Sequence, residues 1–233
     1  MNTRLLVLFF AAFVIGLSSC KKYNDAPVAT LVSGINVINA SADTVNFYSN
    51  GTRLNNNSNL FPSVSSGYYT VAAGQQDYQV KKSFNPVTNS IQTLFSIPLK
   101  LDSGKYYSLF LTGETPAQTF VITDALQNVS NTVTTPSCYV RFVNASPDAG
   151  NLDLAIGSDV TFTTIPFKSA SDFVLIAAGT SIPVNVYSSG SATSIFSVPV
   201  TLTAGYSYTF YSEGKLSGIG NSAFDLGSTV NVN

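Results

Sequence analysis

The chain has 233 residues, of which 11 are basic and 12 acidic, giving a net charge of −1, and it contains neither histidine nor tryptophan. So even a balance excludes nucleic acid or an anionic bilayer surface as an electrostatic partner, because neither counterion release nor polybasic attraction is available. The missing histidine removes Ser-His-Asp and Cys-His catalysis and the usual zinc sites.

The first twenty residues read as a targeting segment. Arg4 gives a positive start, Leu5 to Leu17 form an uncharged apolar run, and Leu17-Ser18-Ser19-Cys20 closes it. The run is too short for a permanent span. Its closing tetrapeptide resembles the bacterial lipobox, which implies that residues 1–19 are a lipoprotein signal peptide and that Cys20 is lipidated. More than one acyl chain makes such an anchor stable, each buried methylene contributing about 0.8 kcal/mol. The following Lys21-Lys22 and the lone Asp25 resemble the start of Bacteroidetes lipoproteins, which implies an outer-membrane anchor facing the periplasm or the cell surface. Residues 20–33 are then a lipidated tether. With Cys20 consumed, Cys138 is the last thiol, so no intramolecular disulfide forms and a buried, inert thiol is expected there.

Beyond the tether the sequence repeats itself. LFSIPLKLDSGKYYSLFLTG, residues 94–113, returns as IFSVPVTLTAGYSYTFYSEG, residues 195–214. Gly34 to Asp43 matches Tyr139 to Asp148, and Val71-Ala72-Ala73-Gly74 matches Ile176-Ala177-Ala178-Gly179. Three blocks in one order predict two homologous domains, at 34–125 and 137–233, joined by a polar linker at 126–136. Short runs of Val, Ile, Phe, Tyr and Thr between Gly, Asn, Ser and Pro clusters read as strand nearly throughout. Ile35/Val140 and Val37/Phe142 stay apolar while Asn36/Arg141 between them stays polar, so one face is expected inside and the other in solvent. Tyr107/Tyr208 and Leu109/Phe210 alternate with Ser108/Thr209 in the same way. About seven strands per copy, with no helix to cover a sheet, predict an all-β fold of two tandem antiparallel β-sandwiches, immunoglobulin- or transthyretin-like. Pro98 and Pro199 place their strand at a sheet edge or interrupt it. Asp102-Ser103-Gly104 and Thr203-Ala204-Gly205 read as the next turn.

The order VRFVNASPDAGNLDL, an apolar strand ending AAG, and SVPVTLTAGYSYTFYSEG resembles the bacterial family known as domain of unknown function 4397. Copy two carries the fuller version, from Tyr139 to Gly214. The resemblance implies an extracytoplasmic β-sandwich module and brings no catalytic or binding residue with it.

Asn39-Ala40-Ser41-x-Asp43 and Asn144-Ala145-Ser146-x-Asp148 form the best polar constellation. A carboxylate beside an amide and a hydroxyl suits a calcium ion, but one carboxylate per motif is few, and strand parity turns each Asn inward to satisfy backbone groups. Asp148 and Asp153 are expected in a solvated loop, and Tyr68, Tyr69, Tyr206 and Tyr211 as strand aromatics before sugar contacts. Asp43-Thr44-Val45 resembles a Bacteroidetes O-glycosylation motif, which marks Thr44. No catalytic, cofactor-binding or metal residue is assigned. The expected function is a non-enzymatic binding or structural role in the envelope, with a protein or glycan partner; the alternative is a carbohydrate-binding or carboxylate-dependent glycan-processing protein. Copy-specific activity is expected in the Asn55–Asn59 loop and the longer Gln75–Thr93 segment.

Overall fold

Alternation of apolar and polar residues over short segments produces strands that close into two sandwiches in the computed structural model, which describes residues 30–83, 87, 90–126, 135–158 and 160–231. In the first copy these are β1 (Val32–Asn39), β2 (Val45–Ser49), β3 (Thr52–Arg53), β4 (Val64–Ala72), β5 (Gly74–Lys82), β6 (Thr93–Leu101), β7 (Tyr106–Leu111) and β8 (Thr119–Asp124). They build two facing sheets, ordered β4-β1-β7-β8 and β3-β2-β5-β6. The second copy comprises β9 (Ser137–Asn144), β10 (Leu152–Ile156), β11 (Val160–Ile165), β12 (Ser169–Ala170), β13 (Val174–Ala177), β14 (Gly179–Ser188), β15 (Ser194–Leu202), β16 (Ser207–Glu213) and β17 (Asp225–Asn231). Its sheets are β12-β9-β16-β17 and β11-β10-β14-β15, with β13 also paired to β9. The signal peptide, Cys20 and most of the expected tether and linker lie outside the described residues.

Pairing is antiparallel except that β1 runs parallel to β7, and β9 to β16. At these two places each copy's first strand is inserted beside its penultimate one, within sandwiches that are otherwise antiparallel as expected. Ala73-Gly74 is the corner at which the chain leaves β4 and enters the opposite sheet as β5, with Gly74 at φ 91°. Pro98 and Pro199 lie in β6 and β15, which are both sheet edges, as their prolines lead one to expect. The repeated tyrosine anchors a turn in each copy. The Tyr107 hydroxyl accepts the Asp102 N–H at 3.1 Å, and Tyr208 accepts that of Thr203 at 2.9 Å, pinning each turn to the strand that follows.

Each sandwich has its own core. Ile35, Val37, Phe47, Tyr78 and Leu109 fill the first, and Val140, Phe142, Leu154, Val186 and Phe210 the second. The polar face expected in solvent is instead covered. Residues 31–233 form one compact unit, and a third cluster of Ile38, Ala40 and Phe110 with Val143, Ala145 and Tyr211 joins the outer faces of β1-β7-β8 and β9-β16. Parity assigns the faces correctly, yet Asn36, Ser108, Arg141 and Thr209 are all buried because the other copy lies against them.

Several buried polar groups in this joint are paired, within a copy or across it. Arg141 donates through Nε to Thr209 Oγ1 at 2.9 Å and through a terminal nitrogen to Asp124 Oδ1. Asp124 Oδ2 also accepts the Tyr68 and Ser108 hydroxyls at 2.7 and 2.8 Å. Asn231 donates its amide back to Tyr68 Oη at 2.9 Å, and Ser65 and Thr229 hydroxyls meet at 2.9 Å.

Candidate functional site

Strand registers put the polar loops of both copies together. Gly34 stands opposite Tyr106, Tyr106 opposite Asp124, and Ser207 opposite both Tyr139 and Asn231. The starts of β1 and β9 and the ends of β8 and β17 therefore share one end. At the other lie the loops after β1, β7, β9 and β16, separated from the first end by an eight-residue strand of about 25 Å.

The repeated Asn is what shapes this end. Asn39, inward-facing and buried, donates to Asp43 O at 2.7 Å and Leu60 O at 2.9 Å while its Oδ1 accepts from Ser41 N and Oγ. Asn144 repeats the pattern with Gly150 O, Ile165 O and Ser146 N. The structural reading of both Asn residues follows from this, since each buried amide is satisfied by backbone groups of the neighbouring loops. The shared acid does two different things. Asp148 accepts Leu216 N at 2.8 Å and the Ser217 N–H and hydroxyl; burial pushes its carboxyl upward, but these bonds outweigh it and hold the group below its ordinary range. Asp43 instead lies 3.2 Å from Lys82 Nζ, which also reaches Glu114 at 3.0 Å. Burial and the neighbouring Glu114 raise the Asp43 carboxyl despite the lysine, whereas hydrogen bonding to Lys82 lowers Glu114. Asp43 and Glu114 border a cleft of about 340 Å³ between the copies, lined also by Ser41, Gln118 and Lys215.

A second cleft, of about 300 Å³, shares Ala40, Ser41 and Gly214 with the first and is lined by Ser63, Glu213, Asn221 and Asp225. Glu213 faces the joint like Thr209 and Tyr211 on the same strand, and its Cα partner across the ladder is Asp225. It is 4% exposed, and its Oε1 has no hydrogen-bond partner among the described residues. Burial, then the Asp225 charge, drives its pKa up to about 7, with a hydrogen bond to Ser63 opposing. Sequence reading missed it because copy one has Thr112 at that place. Gly214, at φ 66°, packs so closely under the loop that a Cβ would stand 2.0 Å from Ala223 O, which fixes the cleft floor.

Other sequence candidates are placed as follows. Tyr68 and Tyr211 belong to the joint between copies, Tyr211 stacking edge-on against Phe110, so neither is a sugar platform. Tyr206 is exposed, and half-buried Tyr69 borders a cleft of about 360 Å³ with Asn55, Asn56 and Asn57. Asn55 itself is buried, accepting Phe47 N at 2.9 Å and donating to Asn46 Oδ1 and Ser58 O, each at 2.8 Å. Asp153 accepts Thr164 N at 2.6 Å and Gly190 N, apart from the Asp148 contacts. Cys138 is wholly buried in the second core, and burial pushes its thiol up to about 11. Thr44 is half-buried, its carbonyl accepting Ser83 N at 3.0 Å. Cys20 and residues 84–86 and 88–89 of the long copy-one segment lie outside the described residues.

No curated protein matches the chain. Among solved structures it is similar to the fimbrial anchor protein Mfa2 from Porphyromonas gingivalis, at 8% identity over 86% of this chain and 97% of that one, with a TM-score of 0.24. It is also similar to a candidate cell adhesion protein from Bacteroides fragilis, at 11% identity over 82% and 84%, with a TM-score of 0.22. Residues 33–135 and again 138–229 match the family described as Domain of unknown function (DUF4397). Matching twice, over most of its length and in the segments that build the two sandwiches, the chain belongs to the DUF4397 family and carries two copies of its domain in tandem.

Proposed function

We propose that the chain is a lipoprotein of the cell envelope, held to the outer membrane through Cys20, whose joined sandwiches serve as a non-enzymatic binding module. One observation carries this reading. Both polar clefts lie at one end of the joined sandwiches, the end away from Val32 where β1 begins, and open to solvent there for an envelope protein or glycan. The burial of Arg141 and Asp124 across the joint supports it further, because a binding surface made by two copies needs them fixed relative to one another. Acid–base work is left to carboxylates, and Asp148, the acid common to both copies, is engaged in holding a loop.

The anchor and the module are tested separately. Cys20→Ala moves the protein from the membrane to the soluble fraction; a variant still in the membrane overturns the anchor. Soluble protein beginning after Cys20 is then applied to glycan arrays and to envelope extracts. Capture that is lost when Lys215 and Asn221 are both replaced by Ala supports the module. Capture unaffected by those changes moves the site elsewhere, and turnover of a polysaccharide overturns the non-enzymatic reading.

A further inference from the structure

Glu213 and Asp225 face each other across adjacent strands with no basic residue among those lining their cleft. Like charges directly opposed on a ladder destabilise it. A buried carboxylate with an unpaired oxygen costs more still, and native structures resolve such groups with a partner, a proton or an ion. Neither ion pair at this end serves them: Lys82 is shared by Asp43 and Glu114. Glu213 shares its cleft with Ser63, a residue of the first copy held in the left-handed region at φ 65°. Such strain persists only where surrounding structure imposes it. The imposing contacts are visible here: Ser63 N donates to Asn39 O at 2.9 Å, and Tyr211 Oη donates to Ser63 O at 3.3 Å.

Every polar side chain that converges on the cleft offers oxygen: two carboxylates, the Asn221 amide, and the Ser41 and Ser63 hydroxyls. Among the described residues no group of three or more His, Cys, Asp or Glu is placed to hold a metal ion, so the ligands beyond these two carboxylates are neutral oxygens. Oxygen-only donors with two carboxylates, supplemented by carbonyls and water, suit a hard divalent ion that takes six to eight oxygens at about 2.4 Å.

From this arrangement we propose that Glu213 and Asp225 of the second copy, with Ser63 of the first, form a binding site for a divalent calcium-like cation that bridges the two sandwiches. Glu213 supplies the buried anchor ligand and Asp225 the exposed one. Because Ser63 and Glu213 come from different copies, the ion ties the joint at the end opposite the Arg141 and Asp124 pair. This site is independent of any partner for the clefts.

The test is calorimetric titration of CaCl₂ into the purified full chain in detergent after chelator treatment, with unfolding temperature followed in parallel. One saturable site with a Kd of roughly 10⁻⁴–10⁻³ M, the range of extracellular calcium modules, is expected, together with a rise in unfolding temperature. Terbium luminescence at the same site, displaced by Ca²⁺, reports binding without reference to stability. Glu213→Gln abolishes both signals while keeping the fold, since it removes a buried charge, and Asp225→Asn weakens binding by roughly tenfold or more by removing a charged ligand. Asp153→Asn, at a carboxylate that does not line the cleft, leaves binding unchanged. No heat and no terbium signal at millimolar metal, or binding that survives in both Glu213→Gln and Asp225→Asn, overturns the proposal. Preference for Zn²⁺ over Ca²⁺ overturns the ligand class.

Discussion

Arg141 of the second sandwich and Asp124 of the first form an ion pair whose side chains are 3% and 0% exposed. In the repeat, Arg141 stands where the first copy has Asn36. Asp124, opposite Tyr106, stands where the second has Asn231, opposite Ser207. The charges are thus complementary only between unlike copies. Two first copies would bring carboxylates together without an arginine, and two second copies arginines without a carboxylate.

Removing one partner should therefore be costly. Arg141→Met or Asp124→Leu alone is expected to destabilise the protein by about 3–5 kcal/mol, because the remaining charge is left buried and unpaired. The double variant should recover most of that loss, since apolar replacement of both partners is often neutral. Urea unfolding of the four proteins gives the coupling energy. Additive losses would show that the pair is not coupled.

Gly227 lies beneath the Tyr211 ring, and a Cβ there would come within 2.3 Å of Tyr211 Cζ. Gly227→Ala is expected to cost about 1–3 kcal/mol through overpacking of the joint. Thermal unfolding measures it, and an unchanged midpoint would mean that the ring has room to move.

The two inward asparagines should behave alike. Asn39→Ala and Asn144→Ala each remove two amide hydrogen bonds to backbone carbonyls, at an expected cost of about 1–3 kcal/mol. Asn→Asp at either place should be worse, since it points a carboxylate at those carbonyl oxygens. Chemical denaturation distinguishes the order, and an Asp variant as stable as wild type would refute it.

Cys138 supplies a pH signature. Burial raises its thiol from 9.0 to about 11, so between those values the native chain keeps a proton that the unfolded chain has released. The thiol's contribution to stability should then fall as pH rises from about 9 to about 11, joined above about 10 by the buried hydroxyls of Tyr68 and Tyr211, which burial also raises. Cys138→Ala should flatten the part of this slope that begins near pH 9, below the tyrosine range, and a thiol reagent should react only after unfolding. Rapid labelling of the native protein would contradict the assigned burial.

Strand parity made the two sandwich cores legible, because Ile35, Val37, Leu109 and their repeats alternate with polar neighbours. Alternation says which face a residue takes, not what covers that face. A signal for the joint was nevertheless present: Ile38/Val143 and Phe110/Tyr211 put large apolar groups on the supposedly solvent face in both copies. The structural role of Asn39 and Asn144 was readable for a similar reason, since an inward amide must find backbone partners. Glu213 was not readable. It has no counterpart acid in the first copy, and its burial comes from Ser63 and Pro62, distant in sequence.

The parallel pairing of β1 with β7 also sets a timetable. Ile35 finds Tyr107, and Val140 finds Tyr208, only after roughly seventy further residues have been made, so each sheet stays open until its copy is almost complete. During that interval the first copy holds Ile38 without Phe110 beside it, and even when closed it lacks Val143 and Tyr211. A chain delivered from its N-terminus therefore carries an uncovered apolar face until the second copy arrives, and misassociation through that face is most favoured in this interval. The tandem arrangement shortens the wait by keeping the covering copy on the same chain.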